Sequence, residues 1–474
     1  MTLPATVLAI DQGTTSTRAL RMGPDGRLQP VLSLPHAQHY PAPGHVEHDA
    51  EELLAHVARC LDAGGALPTG LANQGESCLA WDGRDGRPLG RVIVWQDDRT
   101  APVTAAMEAE GAGGEVMARA GLPLDPYFSA SKLGWLVRNL PGAADLAARG
   151  HLRLGTTDAF FRDRLTGRFE TDVATASRTS LMNLATGQWD EELCRLFGVP
   201  MGALPAIGPT SGDLGGLPGG GALRASIVDQ QAALYGHGCR APGDAKVTFG
   251  TGAFAQCVTG GLLRPDRPGP LPTVAWQHAG QAVTYALDGG VYAAAAAVNW
   301  AKGLGLFAGY DEISAFAAPA AIDRGIAFVP ALAGLGCPHW NRQARGAWLG
   351  LGLAEGRSDL MQALLEGIAL RTAEVLAAMA ALQPFAGPVS LDGGLSRNPY
   401  FTGFLADVAG HPLFLSDEAE LTAAGLACMA AEAAGITLPD HRSGRALTGN
   451  AAAASARRTR FAAARRAVEG YAAA

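Results

Sequence analysis

The amino-terminal residues alternate between short apolar runs and polar turns. A continuous apolar run with β-branched members at 6–10 leads into the polar segment 11–17, and a second mixed run follows at 18–22. This pattern predicts a buried strand, a turn and a second strand. The turn signal Gly-Pro-Asp-Gly at 23–26 and a further strand pattern at 28–32 extend the prediction to a β-meander.

Helical periodicity first appears after this meander. Asp49 precedes a segment in which apolar residues recur on one helical face, and Glu52 follows Asp49 by three residues, which predicts a capped helix start. Strand patterns at 79–81 and 91–95 come next. Longer helical patterns at 359–381 and 421–434 lie in the second half. Alternating strands and helices predict an α/β fold.

The opening pattern returns in the middle of the chain. A strand pattern at 246–249, a Gly-Thr-Gly turn at 250–252 and another strand pattern at 255–259 repeat the order strand, polar turn, strand. We infer two diverged halves with a boundary near 241–243. The predicted domains are 1–240 and 241–474.

Composition narrows the class of protein. The chain has 474 residues, 48% hydrophobic and 17% charged, with a net charge of -7 that forms no long single-sign run. These values predict a globular protein and argue against nucleic acid as a partner. The longest apolar stretch, 289–301, is shorter than the roughly 20 residues needed to span a bilayer, and no secretory signal is visible. We therefore expect no membrane insertion.

The cysteines and histidines are interpreted as structural. Seven cysteines are scattered without a Cys-x-x-Cys pair, which favours reduced thiols and a cytoplasmic location. Cys337 and His339 flank a proline, and this adjacency does not supply the hydrogen-bond geometry of a nucleophile and its base. The histidines at 36, 39, 45 and 48 lie in a Pro-rich stretch that favours a loop over a zinc site. The arginines after residue 456 favour a solvated helix face.

The Gly/Thr turns carry the candidate chemistry. In Asp-Gln-Gly-Thr-Thr at 11–15, glycine lets backbone N–H groups approach an anion, the Thr hydroxyls add donors, and Asp11 can hold Mg²⁺. A second turn at 250–252 and a Gly-rich segment at 392–396 suggest a nucleotide clamp. Two ordinary tight hairpins are the alternative for the turns. The chain contains no P-loop motif and no dinucleotide fingerprint after its first strand.

Phosphoryl transfer also requires a carboxylate that orients the acceptor hydroxyl. Asp229 is the best candidate, because it begins a short helical pattern just before the predicted domain boundary. The alternative is that Asp229 merely caps this helix.

Together these motifs resemble those of the FGGY carbohydrate kinase family, and most closely its members that phosphorylate glycerol. The resemblance runs nearly end to end, and its segments are 11–17, 43–49, 93–96, 124–129, 176–179, 229–234, 250–252, 334–336 and 392–394. It implies an α/β fold of two actin-like (ribonuclease H-like) ATPase domains flanking a deep interdomain cleft. It also implies ATP and Mg²⁺ as cofactors, a small polyol or sugar as substrate, and a homo-oligomer, either a dimer or a tetramer.

The resemblance also implies site residues. Asp229 would be the catalytic base, and Asp11 would hold Mg²⁺, with Asp229 as a possible second ligand. The substrate-binding residues would be Glu76, Trp95, Tyr127, Asp229, Gln230 and Phe254, with Trp95 and Phe254 forming an apolar wall. The nucleotide-binding residues would be Thr14, Thr15, Ser16, Arg18, Thr251, Ala295, Asn299, Gly394 and Asn398. Asn299 stands where the family commonly has Gln.

Several departures from the family pattern affect the substrate. Glycerol kinases of the family carry an Arg where this chain has Gly75, and Gly75 is expected to leave space in the pocket. The implied reaction is phosphorylation of a primary hydroxyl of glycerol or a related small polyol. The alternatives are a four- or five-carbon polyol or ketose (erythritol, a pentitol, xylulose or ribulose) and, less favoured, a non-catalytic sugar-binding regulator. Asp97 and Asp98 add negative charge nearby, and the unusual 219–224 segment predicts no sugar-bisphosphate regulation.

Overall fold

The computed structural model describes residues 7–265, 268–439 and 442–472. These residues form two compact units that do not follow a single cut in the sequence. Unit 1 contains 7–238, 273–285 and 420–439, and unit 2 contains 239–265, 268–272, 286–419 and 442–472. The predicted division after residue 240 stays a prediction, and we describe each unit by itself.

The strands up to residue 228 belong to unit 1. They are β1 (Val7–Gln12), β2 (Ser16–Met22), β3 (Leu28–Pro35), β4 (Glu47–His48), β5 (Pro68–Asn73), β6 (Cys78–Asp82), β7 (Val92–Ile93), β8 (Leu152–Thr156), β9 (Glu170–Asp172), β10 (Met182–Asn183), β11 (Gln188–Trp189), β12 (Ala206–Gly208) and β13 (Ala222–Val228). The later strands are β14 (Ala245–Phe249), β15 (Ala253–Gly260), β16 (Leu271–Trp276), β17 (Thr284–Val291), β18 (Ala327–Val329), β19 (Ala347–Leu349), β20 (Val389–Asp392), β21 (Leu413–Ser416) and β22 (Gly444–Leu447).

The α-helices lie between these strands. They are α1 (Ala50–Gly64), α2 (Ala101–Ala109), α3 (Gly113–Ala120), α4 (Ser129–Asn139), α5 (Ala143–Ala148), α6 (Thr157–Thr166), α7 (Val173–Ala176), α8 (Glu191–Phe197), α9 (Asp229–Gly236), α10 (Ala295–Gly303), α11 (Arg357–Leu382), α12 (Pro399–Val408), α13 (Leu421–Ala433) and α14 (Ala454–Ala472). Short 3₁₀ turns occupy Met201–Ala203, Pro218–Gly220, Tyr310–Ile313, Gly394–Arg397 and Ala451–Ala453.

The main sheet of unit 1 has the strand order β13-β5-β1-β2-β3. Strands β1, β5 and β13 are parallel, and β2 and β3 complete an antiparallel meander. The register pairs Gln12 with Asn73 and Asn73 with Val228. The carboxyl ends of the three parallel strands are therefore level at one edge of the sheet.

Helices cover this sheet. Asp49 accepts hydrogen bonds from the backbone N–H groups of Glu51 and Glu52, so it caps α1 as the sequence predicts. Helix α13 packs against α9, β1, β5 and β13, although it comes from the second half of the chain. A Cβ atom on Gly236 would lie 1.9 Å from the carbonyl oxygen of Leu421, and one on Gly425 would lie 1.9 Å from that of Ala232. Glycine at both positions lets the backbones of α9 and α13 touch.

The long sheet that frames unit 2 has the order β16-β17-β15-β14-β20-β21-β22. The unit boundaries at 272/273 and 285/286 fall within β16 and β17. Strands β14 and β15 form an antiparallel hairpin, and β20 runs parallel to β14 with Thr248 opposite Asp392. The turns that follow β14 and β20 therefore lie at the same edge of the sheet.

The carboxyl-terminal arginines do not form a simple solvated face. In helix α14, the guanidinium of Arg457 bonds Asp323 and Asp407, and that of Arg465 bonds Glu374 and Glu469. Burial would lower the pKa of Arg457, but its hydrogen bonds to Asp323, the largest influence, and to Asp407 raise it well above the ordinary value. The interpretation as a solvated face was wrong for Arg457 and Arg465, because Asp323, Asp407 and Glu374 from distant segments bind them, whereas Arg460 and Arg466 are exposed.

The predicted elements are otherwise found at close to their predicted bounds, and the α/β class is confirmed. The pattern at 91–95 gives only the two-residue β7, and Thr6 of the first predicted strand lies outside the described residues. All seven cysteines fall within the described ranges and are free thiols. Among the helices in these ranges, none is long and apolar enough to cross a membrane.

Candidate active site

In unit 1 the candidate polar residues follow the three level strand ends. Asp11 lies near the end of β1, Glu76 follows the end of β5 by three residues, and Asp229 comes directly after β13. Helix α9 begins at Asp229 itself, with Val228 in the N-cap position. Asp229 therefore does not cap the helix, and the alternative interpretation of this residue was wrong. The parallel register collects three carboxylates at one sheet edge.

Asp11 is held by an ion pair within the first hairpin. Nη2 of Arg18 donates to Oδ2 of Asp11 over 2.8 Å, and Nη1 of Arg18 donates to Oε1 of Glu420 over 2.8 Å. Burial would lower the pKa of Arg18, but Asp11 and Glu420 raise it above its ordinary value. Arg18 therefore remains a cation beside a largely buried carboxylate, which suits a site that receives phosphates.

The first Gly/Thr turn is fixed by two aromatic side chains. Nε1 of Trp95 donates to the hydroxyl of Thr14 over 3.1 Å, and Nε2 of His36 bonds the carbonyl oxygen of Thr14 at 2.9 Å. Because a carbonyl only accepts, Nε2 of His36 must carry a proton. Thr15 is exposed and Ser16 is half-buried at the start of β2.

A buried lysine joins the two aromatic residues predicted to bind substrate. Nζ of Lys132 donates to the carbonyl oxygens of Val94, Trp95 and Tyr127 at 3.1, 2.9 and 3.2 Å. Burial lowers the pKa of Lys132 to about 8. The rings of Trp95 and Tyr127 meet edge to face with centroids 5.6 Å apart. The two aromatic side chains therefore form one supported surface.

Glu76 forms an ion pair that the sequence interpretation did not assign. Nε of Arg178 donates to Oε1 of Glu76 over 2.8 Å. The neighbouring Gly75 does not leave open space, because a Cβ atom there would lie 2.8 Å from Cγ2 of Val228. Nor does Asp97 add net negative charge, since Arg99 bonds its carboxylate over 2.7 Å.

In unit 2 the turn at 250–252 meets the start of a helix. The backbone N–H groups of Ala294 and Ala296 donate to the carbonyl oxygen of Thr251, and that of Ala295 donates to Gly250, over 2.9–3.1 Å. These bonds satisfy the first N–H groups of α10, which carries Asn299. Phe254 lies half-buried on β15, and the side chain of Thr251 is exposed. The turn and the helix thus form one rigid corner.

The segment after β20 forms the other part of this edge. Gly393 has φ of 92°, and a Cβ atom there would lie 2.3 Å from the carbonyl oxygen of Phe249, so only glycine fits. Asn398 caps α12 through Phe401 and donates to the carbonyl oxygen of Ile313 over 2.9 Å. The hydroxyl of Tyr310 donates to Oδ1 of Asn299 over 2.9 Å. The turn Tyr310–Ile313 therefore joins Asn299 and Asn398.

The donors in unit 1 fit magnesium. Mg²⁺ prefers oxygen ligands and is commonly held by one or two carboxylates together with substrate phosphates and water. The carboxylate of Asp11, at the first Gly/Thr turn, meets that requirement. Within the described ranges no group of three or more His, Cys, Asp and Glu residues is arranged to hold a metal. The rings of His36, His48 and His56 instead pack together, with centroids 4.9 and 6.1 Å from His36.

Cys337 and His339 do not form a nucleophile and its base. Burial, the largest influence, raises the pKa of the Cys337 thiol far above its ordinary value, which does not suit a nucleophile. His339 bonds Glu374 rather than the thiol, with 3.2 Å between Nε2 and Oε2.

The structure thus groups the predicted residues in two sets. Unit 1 holds Asp11, Thr14, Thr15, Ser16, Arg18, Glu76, Trp95, Tyr127, Asp229 and Gln230, and unit 2 holds Thr251, Phe254, Ala295, Asn299, Gly394 and Asn398. Sequence reasoning missed four residues that hold predicted site residues in place. Glu420 bonds Arg18 and His36 bonds Thr14. Lys132 bonds Trp95 and Tyr127, and Tyr310 bonds Asn299. Arg178 was part of a recognised motif but carried no assigned role.

Comparisons with known proteins agree with both halves of this arrangement. Residues 6–230 match the model of the N-terminal domain of the FGGY family of carbohydrate kinases, and residues 245–434 match that of the C-terminal domain. A glycerol kinase of Geobacter sp. (strain M21) is 42% identical over 452 residues, which cover 91% of this chain and 90% of that protein. A glycerol kinase of Thermus brockianus is 42% identical over 438 residues, or 89% of this chain and 88% of that protein.

Solved structures agree on the fold. A Plasmodium falciparum glycerol kinase with ADP has a TM-score of 0.88 and 27% sequence identity, and the match covers 98% of each chain. A xylulose kinase from Rhodospirillum rubrum has a TM-score of 0.85 at 24% identity and covers 99% of this chain and all (100%) of that one. The two-domain α/β fold expected from the sequence is confirmed.

Proposed function

This chain belongs to the FGGY family of carbohydrate kinases, and we propose that it transfers the terminal phosphoryl group of ATP to a primary hydroxyl of glycerol. As a family member it is an ATP-dependent kinase that acts on an alcohol group. The observation that carries the proposal is the level ending of β1, β5 and β13, which collects Asp11, Glu76 and Asp229 at one sheet edge. The similarity to glycerol kinases over nine-tenths of the chain supports the choice of substrate.

Asp229 is proposed to be the catalytic base. A carboxylate that accepts the proton of the substrate hydroxyl as the new P–O bond forms makes that oxygen a better nucleophile. Gln230, Glu76 and Tyr127 would bind the other hydroxyl groups, and Trp95 and Phe254 would offer apolar surfaces to the carbon chain. Because α9 begins at Asp229, directly after the last residue of β13, the backbone of Asp229 has little freedom, which favours a precise position for the proton acceptor.

The phosphate end is proposed to involve the first Gly/Thr turn. Thr14, Thr15, Ser16 and Arg18 would donate to phosphate oxygens, because hydroxyl, N–H and guanidinium groups are the donors that phosphates accept. Asp11, with Asp229 as a second carboxylate, would hold Mg²⁺, which neutralises phosphate charge when it is bound. The remaining proposed nucleotide contacts are those of unit 2, namely Thr251, Ala295, Asn299, Gly394 and Asn398.

A four- or five-carbon polyol or ketose is the second candidate substrate, because Gly75 replaces the Arg of glycerol kinases. The contact of Val228 with the Cβ position of Gly75 favours the smaller substrate. A regulator that binds sugars without turnover is disfavoured, because Asp11 and Asp229 are both present at the sheet edge.

The test is ADP release from MgATP by the purified protein with glycerol, erythritol, threitol, pentitols, xylulose, ribulose or no acceptor. We expect the largest stimulation with glycerol. If a four- or five-carbon compound gives the largest stimulation, that compound replaces glycerol as the proposed substrate. An equal response to every compound would favour the regulator that binds sugars without turnover.

We also propose that the protein acts in the cytoplasm as a dimer or tetramer. The free thiols, six of them buried, support a reducing compartment. The dimer or tetramer is the state that the resemblance to the family implies. Light scattering of the purified protein tests the oligomeric state.

A further inference from the structure

Glu76 and Arg178 form a buried ion pair across 102 positions of sequence. Glu76 is 3% exposed and Arg178 is 6% exposed, and the bond from Nε to Oε1 measures 2.8 Å. Burying two charges is costly, and removing one partner of such a pair is more costly still, because the other charge remains. The pair therefore constrains the charge and the position of the Glu76 carboxylate.

The backbone at Glu76 is also constrained. Glu76 has φ of 55°, in the left-handed region that a residue with a side chain seldom adopts. The hydroxyl of Ser129 donates to the carbonyl oxygen of Glu76 over 2.9 Å. Strained backbone of this kind persists where its surroundings hold it, and it is common at functional sites.

Arg178 itself is held on a rigid segment. It follows α7, which Asp172 caps by accepting from the backbone N–H groups of Ala174 and Thr175. The guanidinium lies 5.4 Å from the centre of the Phe128 ring, and Phe128 adjoins Tyr127 in sequence. Gly75, next to Glu76, has no side chain that can carry a charge. Arg178 thus supplies a guanidinium to Glu76 from a fixed direction.

We propose that Arg178 is a positioning residue for polyol recognition, which keeps the Glu76 carboxylate ionised and aimed to accept hydrogen bonds from substrate hydroxyls. The inference rests on the proposed function, since it assigns Glu76 to the polyol site. An ionised carboxylate only accepts hydrogen bonds, so it selects a ligand that offers hydroxyl groups. The class of ligand that this pair recognises is therefore a polyhydroxy compound.

The experiment compares Arg178→Gln and Arg178→Lys with Arg162→Gln and Arg162→Lys. Arg162 is a matched control, because it is also buried in unit 1 and also pairs with a glutamate, Glu170. Glycerol binding is measured by calorimetry, alongside KM for glycerol, KM for ATP, thermal unfolding and the pH profile of kcat/KM.

We expect Arg178→Gln to weaken glycerol binding and raise its KM on the order of 30-fold or more, while KM for ATP changes less than about threefold. The acidic limb of the pH profile should move to higher pH, because loss of the paired guanidinium favours the protonated form of a buried carboxylate, although the ammonium of Lys132 still acts on Glu76. Arg178→Lys should recover part of the affinity. The Arg162 variants should lower the unfolding temperature. They should leave both limbs of the pH profile and the ratio of KM for glycerol to KM for ATP unchanged.

Unchanged glycerol binding and an unchanged acidic limb in the Arg178 variants would overturn the inference, as would an effect on both KM values equal to that of the Arg162 variants. If Arg178→Gln does not fold, Arg178→Lys decides by the same measurements. Calorimetry separates this inference from the proposed function. Glycerol binding that depends on Arg178 in a protein without kinase activity would keep the inference and reject the kinase function, and absence of any polyol binding to the unmodified protein would reject both.

Discussion

The indole N–H of Trp95 donates to the hydroxyl of Thr14 over 3.1 Å, across 81 positions of sequence. This bond joins a residue predicted to face the substrate with a residue predicted to face the transferring phosphate. Both partners lie in unit 1, so the two parts of the site are mechanically connected within one compact body.

Replacing Trp95 by Phe should therefore lower activity more than stability. The variant keeps an apolar ring but loses one hydrogen bond, which contributes about 0.5–1.5 kcal/mol. We expect kcat/KM for the polyol to fall up to about tenfold, because 1.4 kcal/mol corresponds to one factor of ten.

Trp81→Phe is the matched control for this change. Trp81 is fully buried in unit 1, its N–H donates to Oδ2 of Asp163 over 2.8 Å, and its ring packs edge to face against Phe160 and Phe169. This variant should lose about 1–3 kcal/mol of unfolding free energy with little change in kcat/KM. If Trp95→Phe and Trp81→Phe had equal effects on kcat/KM and on the unfolding free energy, the result would contradict a functional role for the bond between Trp95 and Thr14.

Asp229→Asn should abolish turnover and change nucleotide binding far less, because Asp11 remains to hold Mg²⁺. Asn has the same shape but cannot accept a proton from the substrate hydroxyl, and general-base catalysis contributes about 10²–10⁴-fold. The measurement is kcat together with the Kd for MgADP by calorimetry. Retention of more than a tenth of the activity would remove Asp229 from the role of base.

The sequence predicted those parts of the site that depend on local pattern. The strands, turns and helix starts that carry Asp11, Thr251 and Asp229 follow from apolar periodicity and Gly/Thr turns, which are local signals. The partners that fix these residues are not local. Glu420 reaches Arg18 from 402 positions away, and no periodicity in either segment indicates the pairing.

The same limit explains two wrong interpretations. Gly75 suggested open space, but the space is occupied by Val228, whose position depends on the pairing of β13 with β5. Arg457 suggested a solvated helix face, but Asp323 and Asp407 come from other elements. Sheet register and charge pairing between distant segments become visible only in three dimensions.

Gly75→Ala should lower both stability and activity. Its Cβ would lie 2.8 Å from Cγ2 of Val228, a β-branched side chain with little freedom next to Asp229. We expect a loss of about 1–3 kcal/mol in unfolding free energy. The double variant Gly75→Ala, Val228→Ala should cost less than the sum of the single variants. Strict additivity, or an equal loss in the control Gly202→Ala, which meets nothing within 4 Å, would contradict the contact.

His48 should make unfolding sensitive to acid. Burial, with smaller effects of His36 and His39, lowers the pKa of His48 from 6.5 to about 4. Above pH 6.5 the side chain is neutral in both folded and unfolded protein and contributes nothing. Between pH 6.5 and about pH 4 the unfolded chain binds a proton at His48 that the folded protein does not bind. The unfolding free energy therefore falls as the pH falls, by up to about 3 kcal/mol.

The measurement is the unfolding free energy of the unmodified protein and of His48→Gln between pH 7.5 and pH 4. The variant should show a smaller decrease, because Gln does not titrate in this range. His151→Gln changes an exposed histidine and is the control. Parallel curves for the unmodified protein and His48→Gln would exclude His48 as the source.

The adjacent glycines Gly393 and Gly394 in unit 2 should respond differently to substitution by alanine. Gly393 has φ of 92°, and its added Cβ would lie 2.3–2.7 Å from backbone atoms of Phe249, whereas one on Gly394 would meet nothing within 4 Å. Left-handed backbone costs alanine roughly 1–2 kcal/mol before any clash is counted. We expect Gly393→Ala to lose more than about 3 kcal/mol of unfolding free energy.

Gly394→Ala should stay folded and raise the Kd for MgADP, since its new methyl group would enter the proposed nucleotide site. Chemical denaturation and calorimetry measure the two effects. Normal MgADP affinity in Gly394→Ala would place the adenosine elsewhere, and normal stability in Gly393→Ala would mean that the turn after β20 relaxes around the added atom.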